Sequence, residues 1–295
     1  MNYCLGVKNN EFNKRLGALR PYVLNPIGIF MPAFFKKYII AIFAIAILGI
    51  IFMKHFQATE KPSQETLIIG LQSGYPPFEF MDTTGKIVGF DVEIAEIIAE
   101  KLQKTLVIKD MEFEGEILSL KQGKIDLIIS GMNITPSRLK EILMVSYHGE
   151  EATSLSLIFW NEIPPGVNTI EDIALLPNPT VSVESGAIPE TYMHRYANIN
   201  AKSFQGALGP LMDVKYGKSM ANLVEPDVAE YLQKQHPEIK ILNVPLPKEE
   251  TIMGFGIGIK KENQELFQQI QTIIQGLKAS GELKQLENKW FKGVE

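Results

Sequence analysis

The sequence is poor in the residues that most catalytic and metal chemistry requires. One cysteine, Cys4, stands among 295 residues. An intrachain disulfide is therefore excluded, and everything beyond the N-terminal leader lacks a thiol for catalysis or zinc. The four histidines, at positions 55, 148, 194 and 236, show no ligand spacing. No metal or other cofactor is implied. Gly-x-Ser-x-Gly is absent as well, so nothing marks an activated serine. Basic charge is scarce where a nucleic acid would need it. The net charge of −5 divides into +6 over residues 1–57 and −11 over the remainder. Phosphate contacts need clustered Lys and Arg, so no nucleic-acid partner is expected.

Charge is missing altogether from Tyr38–Met53 (YIIAIFAIAILGIIFM), which is preceded by Lys36-Lys37 and followed by Lys54. Sixteen residues are short for a bilayer span, which takes about 20, but they suffice for an export-signal core. Residues 1–57 read as a leader, with translation starting at Met1 or at Met31. A cleaved signal and a retained signal-anchor both stay open. Either one places the body outside the cytoplasm, and an uncleaved leader would hold it to the inner membrane. Residues 58–64, polar and proline-containing, read as a linker.

The body alternates strand and helix signals. Thr66–Leu71 (TLIIGL) is a buried-strand pattern, followed by the stiff loop Gln72-Ser-Gly-Tyr-Pro-Pro-Phe-Glu-Phe80. An amphipathic helix opens at Phe90-Asp91, with Asp91 as its expected cap, and helix and strand patterns then alternate to residue 290. Short loops in this order predict α/β architecture with mostly parallel sheets. The pattern divides into a first lobe at 65–160 plus 251–295 and a second at 161–250. A ligand cleft is expected between them, at the carboxyl ends of strands. Gly254-Phe-Gly-Ile-Gly258 lies in a strand pattern with no helix opening at its third glycine. Close backbone packing explains it better than a dinucleotide site.

The most informative stretch is Ile125–Arg138. An apolar run ends in Ser130-Gly131, and Thr135-Pro136 then opens a helix with Arg138 in its first turn. A guanidinium fork beside free backbone N–H groups suits a carboxylate. The bland reading of Arg138 is a surface ion pair.

Several motifs, in order, resemble the extracytoplasmic solute-binding proteins of amino-acid ABC transporters, especially arginine-binding members. They are Tyr75-Pro-Pro-Phe-Glu, Gly89-Phe-Asp-Val-Glu, Ser119-Leu-Lys-Gln-Gly-Lys-Ile-Asp, Ile134-Thr-Pro-Ser-Arg, Val214-Lys-Tyr-Gly-Lys and Asn288-Lys-Trp-Phe. The resemblance covers residues 66–293 and implies a two-lobed type II periplasmic-binding-protein fold, its lobes joined by two crossovers. It implies that Arg138 clamps a ligand α-carboxylate with backbone help near Asn133, and that Glu225 takes the α-ammonium with a carbonyl near Gly131. Tyr75 and Phe113 fall on two aromatic walls. Ser130 and Gln72 complete the first lobe's side, and Glu184 faces the ligand side chain, where it favours a cationic head group. Ile188 stands in the second lobe's donor loop.

This chain departs from the family's pattern at several positions. Ala187 and Ile188 replace hydroxyl residues, Asn133 replaces Ser or Thr, Gln72 replaces Asp, and Glu225 is longer than the usual Asp. The bland alternatives are a helix cap for Glu225, core packing for the two aromatics and a solvated strand end for Glu184. Phe78 and Glu79 are expected to hold the proline loop together without touching ligand.

The implied function is non-catalytic. A monomer captures a free amino acid, arginine or another basic one, and delivers it to ABC permease subunits. Glutamine or another polar amino acid is the second ligand. Two rivals share the fold: an enzyme resembling cyclohexadienyl dehydratase, with Glu184 as its acid, and a tethered sensor that needs an output module.

Overall fold

A computed structural model describes residues 65–292, together with Tyr38, residues 41–42 and residues 44–50 of the leader. Those leader residues are helical with exposed side chains. The rest of the leader and linker readings, including the start sites and the remainder of the apolar segment, lie outside the described residues. Among the described residues no helix is long and apolar enough to cross a membrane. Ser63–Glu295 forms one unit, within which all the strands below lie.

Two five-stranded sheets dominate the unit. In the first, β1 (Thr66–Leu71) lies between β4 (Thr105–Asp110) and β5 (Leu127–Ile128) and is parallel to both. The short strands β2 (Phe80–Met81) and β3 (Ile87–Val88) pair with each other, antiparallel, between β1 and β4 in the chain. Next to β5 comes β12 (Phe255–Ile259), and β6 (Leu143–His148) forms the edge; both of these pairings are antiparallel. The second sheet runs β11 (Ile239–Pro245), β7 (Ser154–Trp160), β10 (Ala221–Val224), β8 (Thr180–Glu184), β9 (Asn200–Phe204). Here β8 is parallel to β9 and β10, while β7 runs antiparallel to β10 and β11.

The structure corrects one sequence expectation about the strands and adds a strand that was not expected. The strand at 154–160, expected in the first lobe, hydrogen-bonds wholly within the second sheet. The strand Leu143–His148 carries no sequence-level prediction at all. Leu-Lys-Glu-Ile-Leu-Met-Val runs from helix into strand without a Gly or Pro to mark the break. Pattern reading therefore passes over it.

The chain crosses between the sheets twice, and the two crossings touch. Ala152 and Ile252 exchange backbone hydrogen bonds of 2.8 and 3.0 Å. The central glycines of β12 show why Gly254–Gly258 alternates. A Cβ on Gly256 would come within 2.6 Å of the Ile134 side chain. Close packing, as expected, is the reason.

The helices form as their sequences dictate. Helix α1 (Phe90–Lys101) buries Phe90, Ile94, Ala95 and Ile98 at helical spacing against the first sheet. Its cap is Gly89, and no side chain caps it. Asp91 is therefore not the cap. It is fully buried and accepts hydrogen bonds from the Gly131 N–H at 2.7 Å and from the Tyr147 hydroxyl. Phe78 is the hub of the aromatic core, against Tyr75, Phe90, His148, Phe255 and Phe291, with ring centroids 4.6–6.3 Å away. Replacing it opens a cavity beneath the proline loop. Phe78→Ala is expected to lower unfolding stability by about 3–5 kcal/mol in urea titration.

Candidate functional site

The carboxyl ends of β1, β5, β8 and β10 converge, and each ends in a residue the sequence singled out. Gln72 follows β1, Ser130 and Gly131 follow β5, Glu184 ends β8, and Glu225 follows β10. Helix α2 (Phe113–Lys121) brings Phe113 in at its first position. Helix α3 (Pro136–Glu141) brings Arg138, and the Thr135 side chain caps it by accepting from the Arg138 N–H. Gln72, Tyr75, Phe113, Ser130, Gly131, Asn133, Glu184 and Glu225 line one shared cavity, joined by Glu79 and Ala187. Its volume is about 10 Å³, room for roughly one water. The cleft is closed.

Polar side chains close it directly. The Tyr75 hydroxyl donates to Glu225 Oε2 at 2.7 Å. Gln72 Nε2 donates to Glu184 Oε1 at 3.2 Å, while Gln72 Oε1 accepts from the Phe113 N–H at 2.7 Å. Arg138 donates to the carbonyl of Asn133 at 2.9 Å and, across the cleft, to that of Gly186 at 3.2 Å. Its guanidinium carbon lies 5.2 Å from the Phe113 ring centroid, a cation–π contact. Glu225 precedes the helix Pro226–Gln235 without capping it through its side chain, and its carboxylate faces the cleft instead.

Gly131 makes the close fit possible. Its φ is +49°, and a Cβ there would stand 2.8 Å from the Tyr75 ring. Asp91 holds the turn from behind through the Gly131 N–H.

Electrostatics set the site apart from an ordinary interior. Glu79, Glu116, Glu184, Glu225 and Asp91 are all buried. Burial, then the neighbouring Glu225, pushes Glu184 up to about 8, with Arg138 and Gln72 opposing. Burial raises Glu225 too, although the Tyr75 hydroxyl and Arg138 partly offset it. Glu79 and Glu116 are held well above the usual carboxylate range by burial. Burial lowers Arg138, against the pull of Glu225 and Glu116.

Two expectations shift. Ile188 does not line the inner cavity. It lies in the larger outer cleft of about 520 Å³, which Arg138, Ala187 and Tyr192 also line. One backbone donor of its loop is already engaged, since the Gly186 N–H donates to Glu190 Oε2 at 2.8 Å. Glu79, expected only to support the proline loop, is part of the cavity wall. Glu116 escaped sequence reading, yet a signal existed. It stands three residues after Phe113 and four before Leu120, on the buried stripe of α2, where a carboxylate is out of place.

Two α/β units, a double crossover and polar groups meeting across a cleft define a two-lobed ligand-binding protein. The chain belongs to the bacterial extracellular solute-binding proteins, family 3, whose model matches residues 67–293. It is 38% identical over 228 residues, covering 77% of this chain and 86% of the relative, to the probable ABC transporter arginine-binding protein ArtJ of Chlamydia trachomatis. A solved mutant of ArgBP from T. maritima is 31% identical, with a TM-score of 0.70, covering 77% of this chain and 95% of that one. The ancestral amino-acid-binding protein AncCDT-1, described as a precursor of cyclohexadienyl dehydratase, is 25% identical with a TM-score of 0.68; the match covers 77% of this chain and 95% of that one.

The Gly131 contact gives a test of the site's packing. Gly131→Ala should strain the turn and displace Tyr75, lowering stability by about 1–3 kcal/mol in thermal unfolding.

Proposed function

We propose that this protein captures a free basic amino acid, arginine first, outside the cytoplasm and presents it to the permease of an ABC importer. One observation carries the reading. Glu184 and Glu225 line a closed cavity with Tyr75 and Phe113, and Arg138 stands beside it at the outer cleft, against the Phe113 ring and bonded across the lobes to the Gly186 carbonyl. An amino acid's carboxylate matches Arg138, its ammonium matches Glu225, and a second cation matches Glu184. Burying all three charges is tolerable because each meets an opposite charge. The arginine-binding names of ArtJ and ArgBP support the same ligand class. A cavity of about 10 Å³ cannot admit an amino acid, so uptake requires the lobes to part and close again. The leader would export the chain or hold it to the inner membrane, and the protein would act as a monomer.

A second reading has one observation in its favour. Glu184, buried and holding its proton near neutrality, has the chemistry of a general acid. A dehydratase acting on prephenate or arogenate would use such a group, and release of an aromatic product from either would favour that reading.

Thermal unfolding of the full chain against single amino acids separates these readings. Arginine at 100 times its Kd should add about 2.7 kcal/mol of stability. Arg138→Ala should weaken binding by roughly a hundredfold or more, the scale of removing one member of a buried charge pair. A shift with glutamine alone would remove the role given to Glu184. No shift with any amino acid would overturn the proposal.

A further inference from the structure

The closed cleft holds more acid than base. Four glutamates, Glu79, Glu116, Glu184 and Glu225, are buried around it, and Asp91 lies behind Gly131. Arg138 is the cation that faces Glu116, Glu184 and Glu225. Among the described residues, both carboxyl oxygens of Glu116 and one of Glu79 have no hydrogen-bond partner. Acids withdrawn from water without a matching cation keep their protons.

Glu184 is the acid best placed to give one up. It forms part of the cavity wall together with Tyr75 and Phe113. Among the described residues its carboxyl accepts one side-chain hydrogen bond, from the neutral amide of Gln72. The elements around it present titratable or charged groups, although on the neighbouring strand β9 and the helix at 208–215 the charges of Lys202 and Asp213 are paired with each other. The loop after β1 presents Tyr75 and Glu79, α2 presents Glu116, α3 presents Arg138, and the end of β10 presents Glu225. At the rim, Glu114 is taken up by the Ser185 hydroxyl, and Glu190 by the Ser203 hydroxyl and the Gly186 N–H. Acids therefore outnumber bases around Glu184, and its one charged counterweight, Arg138, is also bonded to two backbone carbonyls.

We propose that the site takes up its basic amino acid in exchange for a proton: Glu184 is a neutral acid when the lobes meet directly and becomes a carboxylate when a cationic side chain arrives. The Glu184 O–H bond breaks, the proton passes to bulk water or buffer, and the remaining carboxylate pairs with the guanidinium or ammonium. One positive charge enters and one leaves, so the buried site's net charge is unchanged. This exchange rests on the basic-amino-acid reading of the site.

The sign follows from linkage. Burial and Glu225 push Glu184 up to about 8 in the ligand-free closed cleft, even with Arg138 opposing, and a cation paired directly with it lowers that value. Affinity therefore rises with pH between the two values and levels off above the higher one. A neutral amino acid gains nothing from ionised Glu184, so the exchange sorts ligands by side-chain charge more sharply as pH rises toward 8 and keeps that discrimination above it.

Calorimetric titration of the full chain with L-arginine at pH 7, in phosphate and in Tris, reads the proton directly because the buffers differ in ionisation enthalpy. Close to one proton should be released per arginine, and Kd should tighten about tenfold from pH 6 to pH 7. Difference infrared spectra should show a carboxylic-acid C=O band lost as arginine is added. In Glu184→Gln both the release and the pH slope should vanish. Arginine binding with no buffer dependence and no band change would overturn the exchange and leave the transport reading standing. Release that persists in Glu184→Gln would overturn the assignment to Glu184. No binding of arginine, lysine or ornithine at any pH from 6 to 8 would overturn the underlying reading instead. The infrared measurement uses the parent chain, so it decides even where Glu184→Gln binds too weakly to titrate.

Discussion

Taking carboxyl groups out of water is costly, and this protein does so repeatedly within one cleft. The arrangement stands because each lobe supplies what the other lacks. The first lobe carries Tyr75, Gln72 and Arg138, which donate; the second carries Glu225, Glu184 and the Gly186 carbonyl, which accept. At the rim the sense reverses: the Ser185 hydroxyl donates to Glu114, and the Ala207 N–H to the Gly74 carbonyl. Neither lobe would satisfy its own polar groups without the partner lobe or solvent.

The backbone delivers these groups by a simple device. Parallel strands that end at one edge of a sheet bring residues distant in sequence to one place. Gln72 and Ser130 are 58 positions apart, yet the Gln72 N–H donates to Ser130 Oγ at 3.0 Å. Behind that edge, Asp91 ties α1 to the Gly131 turn and to Tyr147 of β6. A buried polar bridge thus stands directly behind the site. It fixes the backbone while the aromatic cluster around Phe78 excludes water.

Much of this was legible in the chain. Arg138, Tyr75 and Glu225 stand in motifs whose local grammar is strong: a Thr-Pro helix start, a proline-stiffened aromatic loop, a strand ending before Pro226. The features that escaped reading lacked local grammar. The strand Leu143–His148 follows its helix with no breaking residue. Ser154–Trp160 has an obvious strand pattern, but nothing in it says which sheet it joins; antiparallel pairing with β10 and β11 decides that. Ile188 reads as a site residue because its neighbours do, whereas the helix start turns it toward the outer cleft. Asp91 looks like a cap because it opens a helical run, and tertiary contacts give it other partners. Glu79 and Glu116 fall on stretches that read as scaffold, and their importance comes from burial, which one-dimensional pattern only hints at.

The paired crossings at Ala152 and Ile252 bear on how such a cleft can open. They are bonded to each other by one antiparallel bridge, which sets a single place about which the lobes would turn. Bonds that span the cleft around one pivot lengthen together. Tyr75–Glu225, Gln72–Glu184, Arg138–Gly186, Ser185–Glu114 and Ala207–Gly74 all span the cleft and would break on opening. A cleft built this way exposes or covers its polar groups through the angle between its lobes.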